Sequence, residues 1–255
     1  IHIEFGGTSS NFIKNSGTLM INNGSFIANK AAGSIVSNDS NGEMTIKAGY
    51  YKLTGSDWKW KYLISNSGKA NIYGGTIDIW ADDTSSNPYN SGSYLYNAKG
   101  AISKIENLKI TSRPIYSIYN LGTVDVTNSI LTDRVINAET GIMNLTNTIV
   151  NSQSYNFKEV TNSGIGEINI DGGEYNVPVN NSSTGTINVK SGTINNSVTN
   201  SSTGIINIGV KDGVVSKESP LISTTSTTIS NVSGTFNFYD GTIKGSPAIY
   251  GSISE

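Results

Sequence analysis

The chain has 255 residues, with 17 basic and 19 acidic side chains and a formal net charge of −2. It contains no cysteine, which excludes disulfides, thiolate metal sites and cysteine nucleophiles. The lack of any basic run argues against a nucleic-acid partner, and no apolar run approaches the roughly 18 residues that a membrane span needs.

The composition favours a folded chain that turns often. Apolar residues make up 36% of the chain and charged residues 14%, whereas there are 28 glycines and 32 asparagines. Disordered chains combine few apolar residues with a high net charge, and this chain lacks the high net charge. We therefore expect a thin, regular hydrophobic core with many turns around it.

A repeating unit starts near Asn15 and can be followed through almost the whole chain. In each copy an Asn is followed closely by a Gly, and then by two apolar residues with a polar residue between them. The glycines of successive copies are Gly17, Gly42, Gly68, Gly100, Gly122, Gly141, Gly166, Gly185, Gly204 and Gly234. Repetition at a period near 20 residues is typical of a solenoid.

Each unit predicts two or three short strands. Apolar and polar residues alternate over four to six positions, as in a half-buried strand, and Val, Ile, Thr and Tyr fill the strand positions. Clusters of Gly, Asn and Ser between the strands predict turns, because Asn and Gly tolerate positive φ. Stacked units then form an all-β fold, a right-handed parallel β-helix (β-solenoid) of about ten coils. The unequal coil lengths favour the right-handed form.

Two polar ladders are expected along this solenoid. The recurrent Asn before each glycine is placed to form a hydrogen-bonded ladder at a corner of the coil. The residues between the two apolar strand positions are expected to face outward in a second ladder, which consists of Met20, Thr45, Asn71, Asp125, Asn144, Asn169, Asn188, Asn207 and Asn237. Solubility is the simplest role for the outward ladder, and binding of a repetitive polymer or of ice is the alternative.

Aromatic residues concentrate in two predicted loop insertions, near residues 50–62 and 80–99. All three Trp and seven of the thirteen Tyr lie between Tyr50 and Tyr96. Rigid rings with polar tips dominate recognition surfaces, and insertions in a solenoid often lie on the binding face. The candidate ligand-binding residues are Trp58, Trp60, Trp80, Tyr62, Tyr89, Tyr94, Asp57, Lys59, Asp82 and Asp83. Packing of these rings inside the coil is the alternative interpretation.

Few residues suit catalysis. His2 is the single histidine, and arginine occurs only as Arg113 and Arg134, so no Ser-His-Asp arrangement or histidine metal cluster is expected. Asp82 and Asp83 suit a calcium site or glycosidic acid–base chemistry in type, although a solvated acidic loop is the simpler interpretation. We expect no catalytic residue, metal or cofactor.

Units such as Asn15 to Phe26 and Ser183 to Ile194 resemble the β-helical repeats of large Gram-positive surface adhesins. Among these are the binding regions of serine-rich-repeat adhesins, which have a pectate-lyase-like right-handed β-helix. The resemblance implies a secreted or cell-wall-attached protein that binds a host glycan, a mucin or a matrix glycoprotein. No ligand motif matches, so the resemblance assigns no binding residues. The Gly-His-Gly and Arg-x-Lys motifs of polygalacturonase-like enzymes do not occur.

Three functions follow as expectations. The first is a non-catalytic segment of an extracellular bacterial adhesin that binds glycans or glycoproteins as a monomer, with no nucleic acid and no membrane insertion. The second is a polysaccharide lyase or hydrolase with a pectate-lyase-like fold, and the third is a passive structural stalk. The chain starts and stops within the repeat without polar caps, which predicts a single β-helix segment, 1–255, from a longer protein.

Overall fold

A computed structural model describes residues 2–6, 11–29, 34–54, 61–79, 92–112, 114–153, 158–211 and 219–251. Within these ranges the chain forms 29 strands and no helix. Each strand pairs in parallel with the strand one coil before or after it. The predicted parallel β-helix is therefore confirmed, whereas its right-handed winding stays a prediction.

The first of three faces is a sheet of eleven strands, all but one of which end on an Asn. The strands are Ile13–Asn15, Val36–Asn38, Lys61–Asn66, Gly92–Asn97, Tyr116–Asn120, Arg134–Asn137, Glu159–Asn162, Val179–Asn181, Val198–Asn200, Ile229–Asn231 and Ile249–Gly251. This face fixes the coil count, because each strand belongs to a different coil. The expected number of about ten coils is confirmed.

The second and third faces together form an 18-stranded sheet. Strands on the second face alone are Thr18–Ile21, Glu43–Ile46, Lys69–Tyr73, Ile102–Glu106, Thr123–Thr127, Ile205–Ile208 and Thr235–Phe238. Those on the third face alone are His2–Gly6, Ser25–Asn29, Tyr50–Thr54, Thr76–Ile79, Lys109–Ile110, Ile130–Thr132, Leu221–Ser223 and Thr242–Lys244. Three long strands bend across both faces, namely Ile142–Asn151, Glu167–Tyr175 and Thr186–Ile194.

The core is a set of stacked apolar columns, one residue per coil. On the second face Ile168 lies between Met143 and Ile187 of the neighbouring coils, and all three are fully buried. The same holds on the first face for Val135, Val160, Val179 and Val198. Burying each such side chain contributes about 1.5–3 kcal/mol, so the alternating pattern is the main source of stability.

Parts of the two predicted insertions are regular strands. Tyr50–Thr54 and Lys61–Asn66 belong to the third and first faces, and Gly92–Asn97 belongs to the first. The prediction that these residues form loops was therefore wrong, because they form strands that continue the stacked columns of the neighbouring coils. The remaining parts, 55–60 and 80–91, lie outside the described residues.

Aromatic rings fill part of the interior of the solenoid. The rings of Phe26 and Tyr51 stack with centroids 5.1 Å apart, and Tyr175 and Phe236 are fully buried. Tyr94 is only 1% exposed and belongs to the same core, which corrects its assignment as a surface ligand contact. Gly92 to Leu95 are all buried, so both sides of this end of the strand are covered. The alternating pattern therefore does not mark an exposed side here.

The expected ladder of corner asparagines is confirmed. We call it the corner ladder; it consists of Asn15, Asn38, Asn66, Asn97, Asn120, Asn137, Asn162, Asn181, Asn200 and Asn231. In seven steps the Nδ2 atom of one residue donates to the Oδ1 atom of the next over 2.7–3.1 Å. The same Nδ2 atoms also donate to backbone carbonyls, as Asn120 does to Gly122 and Ile142. The ladder thus ties each coil to the next.

Eight of the ten corner glycines are required by space rather than by φ, whereas Gly17 has no atom within 4 Å of an added Cβ and Gly100 has a φ of +80°. A Cβ atom on Gly204 would lie 2.2 Å from Nδ2 of Asn181, and one on Gly234 would lie 2.1 Å from Nδ2 of Asn200. Neither glycine has a positive φ, so the turn argument made from sequence does not apply to them. Glycine recurs there because the amide of the preceding corner occupies the position of a side chain.

The expected outward ladder on the second face is also confirmed. Side-chain hydrogen bonds of 2.7–2.9 Å link Asp125, Asn144, Asn169, Asn188, Asn207 and Asn237 in order. We call this run the outer ladder. Its side chains are half-buried, so from Asn144 to Asn237 the outward surface of the second face is a row of amides.

Candidate ligand-binding groove

A groove of about 450 Å³ runs along the outward side of the first face. It is lined by Tyr116, Tyr119, Arg134, Ile136, Glu159, Thr161, Ser163, Asn180, Ser182, Thr199 and Ser201. We call it the first-face groove. Its floor consists of residues that alternate with the buried Val and Ile column, and one wall follows the turn after each corner Asn. The groove therefore crosses several coils.

One end of the groove is aromatic. The rings of Tyr96 and Tyr119 lie in register on neighbouring strands, 6.1 Å apart and nearly parallel. Tyr62 extends the row at 5.1 Å from Tyr96, and Tyr116 meets Tyr119 edge-on at 5.4 Å. We call these four residues the tyrosine stripe. Burial raises the pKa of Tyr62 and of Tyr119, and the neighbouring tyrosines add to the effect.

An ion pair stands at the centre of the groove. Arg134 and Glu159 are in register on neighbouring strands, and Nη2 of Arg134 lies 3.0 Å from Oε1 of Glu159. The guanidinium also lies over the ring of Tyr116, 5.7 Å from its centroid, as in a cation–π contact. The other oxygen of Glu159, Oε2, accepts a 2.9 Å hydrogen bond from Nδ2 of Asn180. These contacts hold both charged groups in fixed orientations.

The other end of the groove is a flat array of small polar groups. Thr161, Asn180 and Thr199 are in register on three successive strands. A second row is formed by the serines that follow three successive corner Asn residues. It consists of Ser163, Ser182 and Ser201, each of which donates to a backbone carbonyl of the preceding coil over 3.3–3.5 Å. Neighbouring strands are about 4.8 Å apart, so hydroxyls and amides repeat at that interval.

These groups suit the binding of a hydroxylated ring compound. Tyrosine rings offer flat apolar faces, and the Arg, Glu and Asn side chains offer fixed donors and acceptors beside them. Among the described lining residues Glu159 is the one carboxylate, whereas glycoside hydrolysis usually uses two. Within the described ranges, no group of three or more acidic or histidine side chains is placed to hold a metal ion.

The structure describes two of the ten predicted ligand-binding residues. Tyr62 joins the tyrosine stripe next to the groove, and Tyr94 lies in the core. The other eight predictions fall outside the described residues, and they are Asp57, Trp58, Lys59, Trp60, Trp80, Asp82, Asp83 and Tyr89.

The sequence argument missed Tyr116, Tyr119, Glu159 and Asn180 and gave Arg134 no specific role. A signal for part of the set was present. The residue directly before a corner Asn faces outward on the first face, and Tyr96, Tyr119, Thr161, Asn180 and Thr199 all hold that position. Aligning the copies on the corner Asn would have shown these residues to be neighbours.

No protein-family model matches the chain, and comparisons with curated proteins and with solved structures found no significant match. Over the ranges that the structure describes, there is no helix long and apolar enough to cross a membrane.

Proposed function

We propose that the chain is a non-catalytic, glycan-binding segment of an extracellular bacterial adhesin, with the first-face groove as its ligand site. The observation that carries the proposal is that Tyr116 and Tyr119 of the tyrosine stripe, the Arg134–Glu159 pair and the hydroxyl rows line one groove. The likeness of the repeats to Gram-positive surface adhesins supports the extracellular setting.

The physical basis is the match between this groove and a sugar ring. A pyranose has one apolar face of C–H groups, which packs against an aromatic ring, and an edge of hydroxyls that both donate and accept. Tyr119 supplies the ring, and Glu159 and Asn180 supply acceptors and donors within the same groove. Because these side chains are already held by each other, little conformational entropy is lost on binding.

The test is a glycan and polysaccharide array probed with this chain, followed by calorimetry on every glycan that binds. We expect Tyr119→Ala to weaken binding at least tenfold, because it removes a ring that lines the groove beside Tyr116. Tyr73→Ala is the matched control, since Tyr73 is a 42% exposed tyrosine on the second face. Equal binding by the two variants would show that the ligand lies elsewhere.

Other outcomes of this experiment would favour the alternative functions. Release of unsaturated or reducing products from polyuronate would favour a lyase or a hydrolase. A blank array, together with no saturable binding to mucin or matrix glycoproteins, would favour a passive stalk. In that case the groove would be a surface without a ligand.

A further inference from the structure

The charged centre of the groove is internally neutralised, and this bears on which glycans it accepts. Among the described lining residues, Arg134 and Glu159 are the only charged ones. Their side chains are 26% and 23% exposed, so each is partly desolvated, and the two form an ion pair at 3.0 Å. The nearby pair of Lys99 and Glu139, at 3.5 Å, is likewise balanced.

Glu159 has both carboxylate oxygens engaged within the groove. Oε1 faces the guanidinium of Arg134 at 3.0 Å, and Oε2 accepts from Asn180 at 2.9 Å. An anionic group that approached Arg134 would therefore also approach this carboxylate. Repulsion between like charges in a partly desolvated site offsets the attraction to Arg134. A neutral hydroxyl meets no such repulsion, because it can donate to Glu159 and accept from Arg134.

We infer that Glu159 is a specificity-determining residue, and that it makes the first-face groove select neutral glycans and reject acidic ones. The inference rests on the proposed glycan-binding function and adds the ligand class. The discriminating element is a repulsive one, a carboxylate placed where the acidic group of a uronate or sulfated sugar would otherwise pair with arginine. Arg134 supplies donors to hydroxyls, and its charge stays hidden from the ligand.

The test compares neutral hexasaccharides (cellohexaose, mannohexaose and maltohexaose) with hexagalacturonate and a heparin hexasaccharide, using calorimetry at low and high salt. The wild-type protein is expected to bind at least one neutral probe and to bind the acidic probes at least tenfold more weakly. Glu159→Gln keeps the size of the side chain and an acceptor for Asn180 but removes the negative charge. This variant should gain at least tenfold in affinity for an acidic probe, and the gain should disappear at high salt.

A double variant provides the control. Arg134→Gln with Glu159→Gln leaves the groove without charge, so its preference should return to neutral probes. Binding of acidic probes by the wild type as tightly as neutral ones, or no gain for Glu159→Gln in a variant that unfolds like the wild type, would overturn the inference. The first of these results would leave the proposed glycan-binding function intact. Failure of the wild type to bind any neutral probe would also overturn the inference, and a blank glycan array in addition would overturn the proposed function.

Discussion

The side-chain amide of Asn97 donates a 2.8 Å hydrogen bond to Oδ1 of Asn120, although 23 residues separate the two along the chain. Both side chains are fully buried. The contact is one step of the corner ladder, and the loops between successive corners differ in length. Successive corners are joined by as few as 17 and as many as 31 residues. The hydrogen bond between corner amides is thus kept over separations of 17 to 31 residues.

Removal of a central corner amide should be costly. Asn120→Ala is expected to lower the free energy of unfolding by about 3 kcal/mol, because it deletes the bond to Asn137 and leaves the buried amide of Asn97 short of an acceptor. Urea unfolding followed by circular dichroism measures the change. Asn188→Ala on the outer ladder is the control, and a loss of less than about 1 kcal/mol is expected there, since water can replace its partners. Similar losses for the two variants would contradict this account.

Not every corner amide should matter equally. Oδ1 of Asn181 is buried and accepts no hydrogen bond among the described residues, while its Nδ2 donates only to the carbonyls of Gly185 and Ile205. Asn181→Ala therefore leaves no side-chain donor of the preceding coil without its acceptor. We expect it to cost about 1–2 kcal/mol, clearly less than Asn120→Ala. The same urea experiment measures it, and a larger loss than for Asn120→Ala would refute the ranking.

A corner glycine that faces the preceding corner Asn should resist replacement even by alanine. A Cβ on Gly204 would lie 2.2 Å from Nδ2 of Asn181 and 2.6 Å from the carbonyl oxygen of Gly185. Neither neighbour can retreat without breaking a contact between coils, so Gly204→Ala should destabilise by about 1–3 kcal/mol or more. Thermal unfolding reports the change. Gly17→Ala is the control, because no atom lies within 4 Å of its added Cβ, and its melting temperature should stay within a few degrees of the wild type.

Alkaline pH should unfold the protein through its core tyrosines. Burial raises the pKa of Tyr94 and of Tyr175 above the value of about 10 of an exposed tyrosine. Above that value the unfolded chain loses a proton that the folded chain keeps, so stability is full below about pH 10 and falls as the pH rises further. Urea midpoints at pH 8 and pH 11 measure the loss. Equal midpoints would show that these hydroxyls reach solvent.

Tyr175→Phe should reduce that alkaline loss and should not harm the fold at pH 8. The hydroxyl of Tyr175 is buried without a hydrogen-bond partner among the described residues, so its removal is expected to stabilise by about 1 kcal/mol. Tyr51→Phe is the control, because the hydroxyl of Tyr51 donates to the carbonyl of Ala48 at 3.4 Å. Destabilisation by Tyr175→Phe at pH 8 would indicate a partner for the hydroxyl, such as a buried water.

The fold could be predicted because it repeats. Each copy of the unit carries the same alternation and the same Asn–Gly corner. A wrong strand assignment in one copy can therefore be corrected by comparison with the others. Both ladders followed from that periodicity. The reason for the corner glycines could not be predicted in this way. Gly204 is required because of its contact with Asn181, which belongs to the preceding coil and so to a different copy of the unit.

The groove could not be predicted in the same way, because it depends on which coils are neighbours. Tyr116, Arg134 and Glu159 align only when the coils between them are counted at their true and unequal lengths. Aromatic density pointed instead to residues 50–96, where Tyr62 does reach the tyrosine stripe but Tyr94 fills the core. The density of aromatic residues along a chain does not distinguish a ring that faces solvent from one that fills the core.

The two ladders have opposite directions. In the corner ladder the earlier residue donates to the later one, as Asn66 does to Asn97, whereas in the outer ladder the later residue donates to the earlier one, as Asn169 does to Asn144. Where both ladders are continuous, as from Asn120 to Asn137 and from Asp125 to Asn144, the added coil presents an acceptor at the corner and a donor on the second face at the same time. At the buried corner this direction is fixed, because the Nδ2 atoms also donate to backbone carbonyls, as that of Asn120 does to Gly122 and Ile142. The two ladders thus give a defined direction along the solenoid to every coil through which they run together.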